Sequence, residues 1–169
     1  MSLLDPDHHY RLDLEWTGDR GVGTTGYRSY GRDHVLRAVG KSDIAGSSDR
    51  VFHGDADRWN PEELLIAALS QCHLLSYLHV ATNHGLVVVG YRDSPEGLMR
   101  QDDSGGGAFV SVTLRPVVTV ATLAGVDAAD ARRLARSLHA EAASKCFIAA
   151  SVAFPVHHEP ETVVAAASH

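Results

Sequence analysis

The chain has 169 residues, 44% of them hydrophobic, which lets one domain bury a core without disulfide or metal staples. A formal net charge of −6, with no local run of basic residues, offers no field for phosphate backbones, so nucleic acid is not an expected partner. Asp, His and Arg interrupt the N-terminal apolar residues, and Ser70, Gln71, His73, Ser76 and His79 interrupt the stretch from Leu64 to Ala81; neither reads as a signal peptide or a membrane span, and a cytoplasmic protein is expected.

Tyr10, Leu12, Leu14 and Trp16 alternate with Arg11, Asp13 and Glu15, the period of a half-buried strand. Gly18, Gly21, Gly23 and Gly26 punctuate the turn that follows, and Tyr27 to Val39 reads as one or two further short strands. Lys41 to Trp59 is polar and irregular, a loop long enough to suspect function. Asn60 as cap, Pro61 at the first helical position and Glu63 three residues after the cap form a helix start signal. Gly85 marks the end of that helix. It is apolar on nearly all faces, as expected of a central element packed on several sides.

Leu86 to Tyr91 is a short β-branched run, and after a turn at Ser94 to Gly97 a second strand leads to the tight Asp102 to Gly107 loop. Val110, Val112, Leu114, Val118 and Val120 then alternate with polar residues as the longest predicted strand, with Pro116 placing it at an edge or forcing a bulge. A second helix begins at Asp127, with Asp130 in its first turn. Its apolar face runs Ala131, Ala135, Leu138, Ala142, and Cys146 is next on that face. Val152, Phe154 and Val156 form a last predicted strand before a tail. This order is α+β, mostly antiparallel because short turns join the strands, in a single domain over 1–169 with flexible ends at 1–7 and 161–169.

With no secretory signal, the two cysteines read as cytosolic thiols rather than as a structural staple. Cys72 lies mid-helix with the small residues Ala68 and Ser76 one turn to either side, which leaves room for a ligand above the sulfur. A free cysteine is by default an inert core thiol, and composition and helix faces leave that reading and a redox pair both open. A reactive thiolate needs a cation or donors near the sulfur, and the helix dipole gives little so far from the N-terminus. Arg20 in the glycine-rich loop is one candidate cation; Arg28, Arg32, Arg50 and Arg58 are others that the sequence does not rank. Glu62 by default complements the helix dipole, and Glu63 closes the capping box.

Eleven histidines invite a metal reading, but His73, His79 and His84 stand six and five residues apart and point to different helix faces, so no metal is expected. Side chains of adjacent helical residues diverge by about 100°, which makes His73 a poor base for Cys72 and a packed or interface histidine instead. No nucleophile elbow, P-loop or dinucleotide fingerprint is present, and no cofactor is expected.

Asn60-Pro61-Glu62-Glu63-Leu64, followed by Ala67-Ala68 and Cys72, resembles the NPE(E/Q)L…C segment of the OsmC/Ohr family of osmotically inducible and organic hydroperoxide resistance proteins. Cys146-Phe147-Ile148-Ala149 on a late helix is similar to the divergent OsmC-like branch; the branches proper carry proline where Phe147 stands. The element order agrees roughly from Tyr10 to Pro160. The resemblance implies an OsmC-like fold, with mostly antiparallel sheets around long central helices, in an intertwined homodimer with each site at the subunit interface. It implies a thiol-dependent peroxidase, an organic hydroperoxide reductase acting on fatty-acid or alkyl hydroperoxides. In that scheme Cys72 attacks the hydroperoxide, and Cys146 resolves the sulfenic acid into a Cys72–Cys146 disulfide. Glu62 and Arg20 fall where the family places a glutamate and an arginine beside the first thiol, and a dithiol such as a lipoyl protein is the implied reductant. The alternative on the same fold is a non-enzymatic thiol redox sensor or a binder of a small apolar ligand.

Overall fold

The computed structural model describes residues 7–121 and 127–165. The chain divides into two compact units, Met1–Leu64 and Leu65–His169. In the first, β1 (Asp13–Trp16), β2 (His34–Arg37) and β3 (Ile44–Gly46) form an antiparallel sheet in that order, with Trp16 opposite His34 and Leu36 opposite Ile44. The strand expected from Tyr10 thus starts at Asp13, and it is exposed in this chain rather than half-buried: Leu12 and Leu14 keep 62% and 61% of their accessible surface.

The stretch from Lys41 to Trp59, expected as an irregular loop, contains β3 and a 3₁₀ turn at Arg50–Phe52. Its polar residues satisfy its own backbone. Asp49 accepts the Val51 N–H at 2.8 Å, and Trp59 exchanges backbone hydrogen bonds with Ala45 and Ser47, which folds the end of the stretch back on β3.

Helix α1 (Pro61–Asn83) opens with the expected capping box: Asn60 Oδ1 accepts the Glu63 N–H at 2.7 Å, and Glu63 Oε2 accepts the Asn60 N–H at 3.2 Å. It ends at Gly85, whose φ of 69° is a left-handed conformation that favours glycine, while the Leu86 N–H reaches back to the Ala81 carbonyl at 2.9 Å. By length and composition alone α1 could cross a bilayer. Instead Leu69, His73, Tyr77, Val80 and Ala81 are buried within the second unit.

That unit continues with β4 (Val88–Arg92), β5 (Glu96–Gln101), β6 (Gly107–Leu114), β7 (Val117–Val120), α2 (Ala128–Ser144), α3 (Phe147–Ala150), β8 (Val156–His158) and β9 (Glu161–Val164). Two three-stranded sheets result, β4-β7-β9 and β5-β6-β8. The alternation from Val110 to Val120 is therefore two strands in two sheets. Pro116 has no N–H to give, and the Arg115 N–H before it turns aside to Asp93 Oδ1 at 2.7 Å, so the ladder breaks and the chain changes sheet.

The C-terminal segment also departs from expectation. Val152 and Phe154 lie in a bent link outside any strand, β8 starts at Val156, and Glu161–Val164, expected as part of a flexible end, is a strand. Of the rest of the expected flexible ends, residues 1–6 and 166–169 lie outside the described residues. β8 and β9 pair in parallel with β6 and β7 and keep one register across the switch, from Val112 opposite Val156 to Val120 opposite Val164. Non-local pairing of this kind leaves no periodic trace in a short polar sequence.

Helix α1 serves both sheets. Near its start Ile66 and Leu69 pack with Val112, Leu114 and Phe154; further on Tyr77, Val80 and Ala81 pack with Val118, Val120 and the α2 residues Ala135 and Leu138. The buried stripe of α2 is the expected one, with His139 added to it. His73, fully buried, stands on α1 between these two apolar clusters.

Candidate thiol site

Cys72 is half-buried on α1, with Ala68 and Ser76 one turn to either side, and Cys146 is buried, keeping 3% of its surface. Both are free thiols. Cys146 does not extend α2. It caps α3, with its Sγ accepting the Ala149 N–H at 3.4 Å, and its own N–H is tied to the Ala143 carbonyl at the end of α2 at 3.2 Å. Phe147 then occupies the first helical position, where a proline would also fit, and its ring is 78% exposed.

Cys72 is near enough to Cys146 to shift its titration. Burial, and then the neighbouring Cys72 thiol, push the Cys146 thiol up to about 11, against a smaller opposing pull from the Ala149 and Ile148 N–H groups. Cys146 therefore keeps its proton at neutral pH. The pair is asymmetric: one sulfur is buried and protonated, and the other faces the accessible side of the helix.

Arg20 and Glu62 belong to the first unit, and the two sulfurs to the second. Arg20 is exposed in the loop after β1, and Glu62 is half-buried in the first turn of α1. Among the other arginine candidates, Arg32 is occupied: its guanidinium lies 4.5 Å and 4.3 Å from the Tyr27 and Tyr30 ring centres and donates to both tyrosine carbonyls. Arg58 lies 3.7 Å from both Asp33 and Asp55. Among the described residues, Arg20, Arg28 and Arg50 make no ion pair.

A second constellation comes from three histidines that lie far apart in sequence. His73 Nε2 is 3.0 Å from His139 Nδ1, the His158 ring centre is 4.3 Å from that of His73, and Tyr77 stacks on His139 at 4.2 Å. Burial, followed by His158 and His139, holds His73 down to about 3; burial, followed by His158, holds His139 down to about 4. These rings are neutral at physiological pH, and one ring must donate to the other. Spacing along one helix did not reveal the cluster, because its members come from α1, α2 and β8. The available signal was His139 beside Leu138 on the buried stripe of α2. Among the described residues no group of three or more His, Cys, Asp or Glu side chains is placed to share a metal ion. A hollow of about 490 Å³ lined by His84, Leu86, Leu134 and Ser137 contains neither cysteine.

Fold and site together define a class: an α+β protein with a long central helix carrying a half-buried thiol, and a second, buried thiol near it at a helix cap. The profile of the family described as OsmC-like protein matches residues 54–161, more than half of the chain, and the chain belongs to that family. Among solved structures, an OsmC-like protein of unknown function from Vibrio cholerae O1 is 26% identical with a TM-score of 0.79, over 91% of this chain and 99% of that one. An organic hydroperoxide resistance protein OsmC from Legionella pneumophila shares the fold at 17% identity and a TM-score of 0.63, over 92% and 98% of the two chains. So does an organic hydroperoxide resistance protein from Elizabethkingia anophelis, at 17% and 0.63 over 94% and 99%. None of the curated proteins matches the chain.

Proposed function

We propose that the chain is a thiol-dependent peroxidase that reduces organic hydroperoxides to alcohols through Cys72 and Cys146. The observation that carries this reading is the pairing of a half-buried thiol on α1 with a neighbouring buried one at the cap of α3, whose proton burial and Cys72 together hold in place. Membership of the OsmC-like family, and the hydroperoxide resistance proteins among its structural neighbours, support the substrate class.

The chemistry balances on these groups. The Cys72 thiolate attacks the outer oxygen of the hydroperoxide; the O–O bond breaks, an S–O bond forms, and the alkoxide leaves with a proton as the alcohol. Cys146 sulfur then attacks the Cys72 sulfenic acid, its thiol proton leaves with the hydroxyl as water, and the disulfide forms. A dithiol, such as a lipoyl group, supplies two electrons and two protons to restore both thiols. Attack of that reductant falls on the Cys72 sulfur, the more exposed of the two. In this reading Arg20 lowers the barrier by pairing with the developing negative charge, and Glu62 holds the guanidinium. In this reading the protein works in the cytoplasm, where a dithiol reductant is at hand.

The same reading includes a homodimer. Leu12 and Leu14 beside and on β1, and Leu75 and Leu78 on α1, are exposed in the single chain at 62%, 61%, 63% and 36%, and a second copy covering them would remove that apolar surface from water. Light scattering on the eluting protein tests this, with twice the chain mass expected and the single-chain mass opposing it.

Hydroperoxide consumption with a dithiol reductant tests the reaction. Wild type is expected to turn over many equivalents, and Cys72→Ser none. Cys146→Ser is expected to turn over far more slowly and to accumulate Cys72 sulfinic acid, since only the external dithiol then attacks the sulfenic acid. A wild-type protein that reacts once and stops with every dithiol would make it a sensor instead.

A further inference from the structure

The buried histidines are not used by the reaction above, yet they join the two elements that carry the thiols. His73 follows Cys72 on α1 and points inward. His139 lies on α2, whose last turn leads through Lys145 alone into Cys146. Three polar contacts connect α1 with α2 and its cap: the Tyr77 hydroxyl donates to the Ala135 carbonyl at 2.9 Å, His73 Nε2 meets His139 Nδ1 at 3.0 Å, and the Ser76 hydroxyl lies 3.5 Å from the Lys145 carbonyl.

We propose that the His73–His139 hydrogen bond is a positioning device for the thiol pair: it sets the register of α2 against α1 and so the approach of Cys146 to Cys72. The inference rests on the reading of these cysteines as a reacting pair.

The face that α2 buries is mostly flat. Of the five buried residues of α2, Ala131, Ala135 and Ala142 are small and only Leu138 and His139 project, and a mostly shallow surface resists axial sliding poorly. A directed hydrogen bond does resist it. Because the Cys146 N–H is bound to the Ala143 carbonyl and the Lys145 N–H to the carbonyls of Ala142 and Ala143, a shift of α2 along its axis carries Cys146 with it. One residue of helical rise is about 1.5 Å, whereas the Cβ atoms of a disulfide tolerate a window of only about 1 Å. A slip by a single residue therefore takes the sulfurs out of bonding range.

The pair is also a poor choice for packing alone. His73 Nδ1 and His139 Nε2 are buried with no hydrogen-bond partner in the protein. Two apolar side chains would fill the same space without stranding those nitrogens. They would lack direction. Tyr77 stacked on His139 and His158 against His73 hold the two rings in plane with the bond they share.

The test compares two polar replacements. His139→Asn places an amide where Nδ1 stands, and His139→Gln places it nearer the position of Nε2. Each folded variant receives one equivalent of tert-butyl hydroperoxide, and rapid quenching followed by mass spectrometry reads Cys72 sulfenic acid formation and disulfide closure separately. The expected result is sulfenic acid formation at the wild-type rate in both. Closure should be near wild type in His139→Asn and slowed by about tenfold or more in His139→Gln, with a matching rise in Cys72 sulfinic acid. Equal closure rates in wild type and both variants overturn the positioning role, as does a slowing that is the same in both. If the wild type itself forms no Cys72–Cys146 disulfide, the peroxidase reading falls, and this inference with it.

Discussion

The His158 ring lies 4.3 Å from that of His73, in an interior where burial disfavours the charged form of both. His158 feels His157 as well, with Asp93 pulling in the opposite direction. A free histidine titrates near 6.5, whereas His73 and His139 are held down to about 3 and about 4 in the folded chain. Between those values the unfolded chain binds more protons than the folded one, so stability rises with pH in that window. It is at its full value above about 6.5 and is lost as pH falls toward 4 and 3, by at most about 1.4 kcal/mol per pH unit per buried histidine. Urea unfolding at pH 7.5, 6 and 5 should show the midpoint falling. Glu141, held low by Lys145 and His84, enters only at more acid pH, so a midpoint constant from 7.5 to 5 contradicts the buried neutral cluster.

Tyr77→Phe tests the link between the helices. Burial pushes the Tyr77 hydroxyl up to about 12, so it remains a neutral donor to the Ala135 carbonyl at all ordinary pH. Removing it should lower stability by about 1–2 kcal/mol, read as a lower urea midpoint with an unchanged slope.

The start of α1 offers a cleaner local test. Asn60→Ala removes the acceptor of the Glu63 N–H and should destabilise by about 1 kcal/mol, while Asn60→Asp should lose less than half of that. Equal stability of all three proteins would show that the cap is not holding the helix.

These contrasts also show where the sequence is informative. The capping box at Asn60 and Glu63, the alanine stripe of α2 and the end of α1 at Gly85 are local signals, each carried by residues within one or two turns, and each is legible in the sequence. So is the motif around Cys72. The change of sheet at Pro116 depends on Asp93, 22 residues before Arg115, and the parallel pairing of β8 and β9 and the meeting of His73 with His139 and His158 depend on residues 40 or more positions apart. No periodicity encodes them. Pro116 announces a defect in the ladder, but not that the chain crosses to another sheet there.

Asp93 marks that crossing. Its carboxylate accepts the Ser70 hydroxyl at 2.6 Å and the Arg115 N–H at 2.7 Å, tying α1 to the switch between β6 and β7. Asp93→Ala should lower stability by about 2–3 kcal/mol, because it strands both donors. Arg115→Ala breaks ion pairs to Glu96 and Glu159 that are exposed to water, and should scarcely move the unfolding midpoint.

The central claim concerns which sulfur meets the peroxide. In protein treated with one equivalent of organic hydroperoxide and a sulfenic-acid trapping reagent, peptide mass spectrometry reads the site directly. Cys146→Ser should carry the trapped adduct on Cys72, wild type should yield the Cys72–Cys146 disulfide, and Cys72→Ser should remain unmodified. An adduct on Cys146 in the Cys72→Ser protein, formed as fast as wild type reacts, would contradict the assignment of Cys72 as nucleophile and Cys146 as the thiol that resolves it.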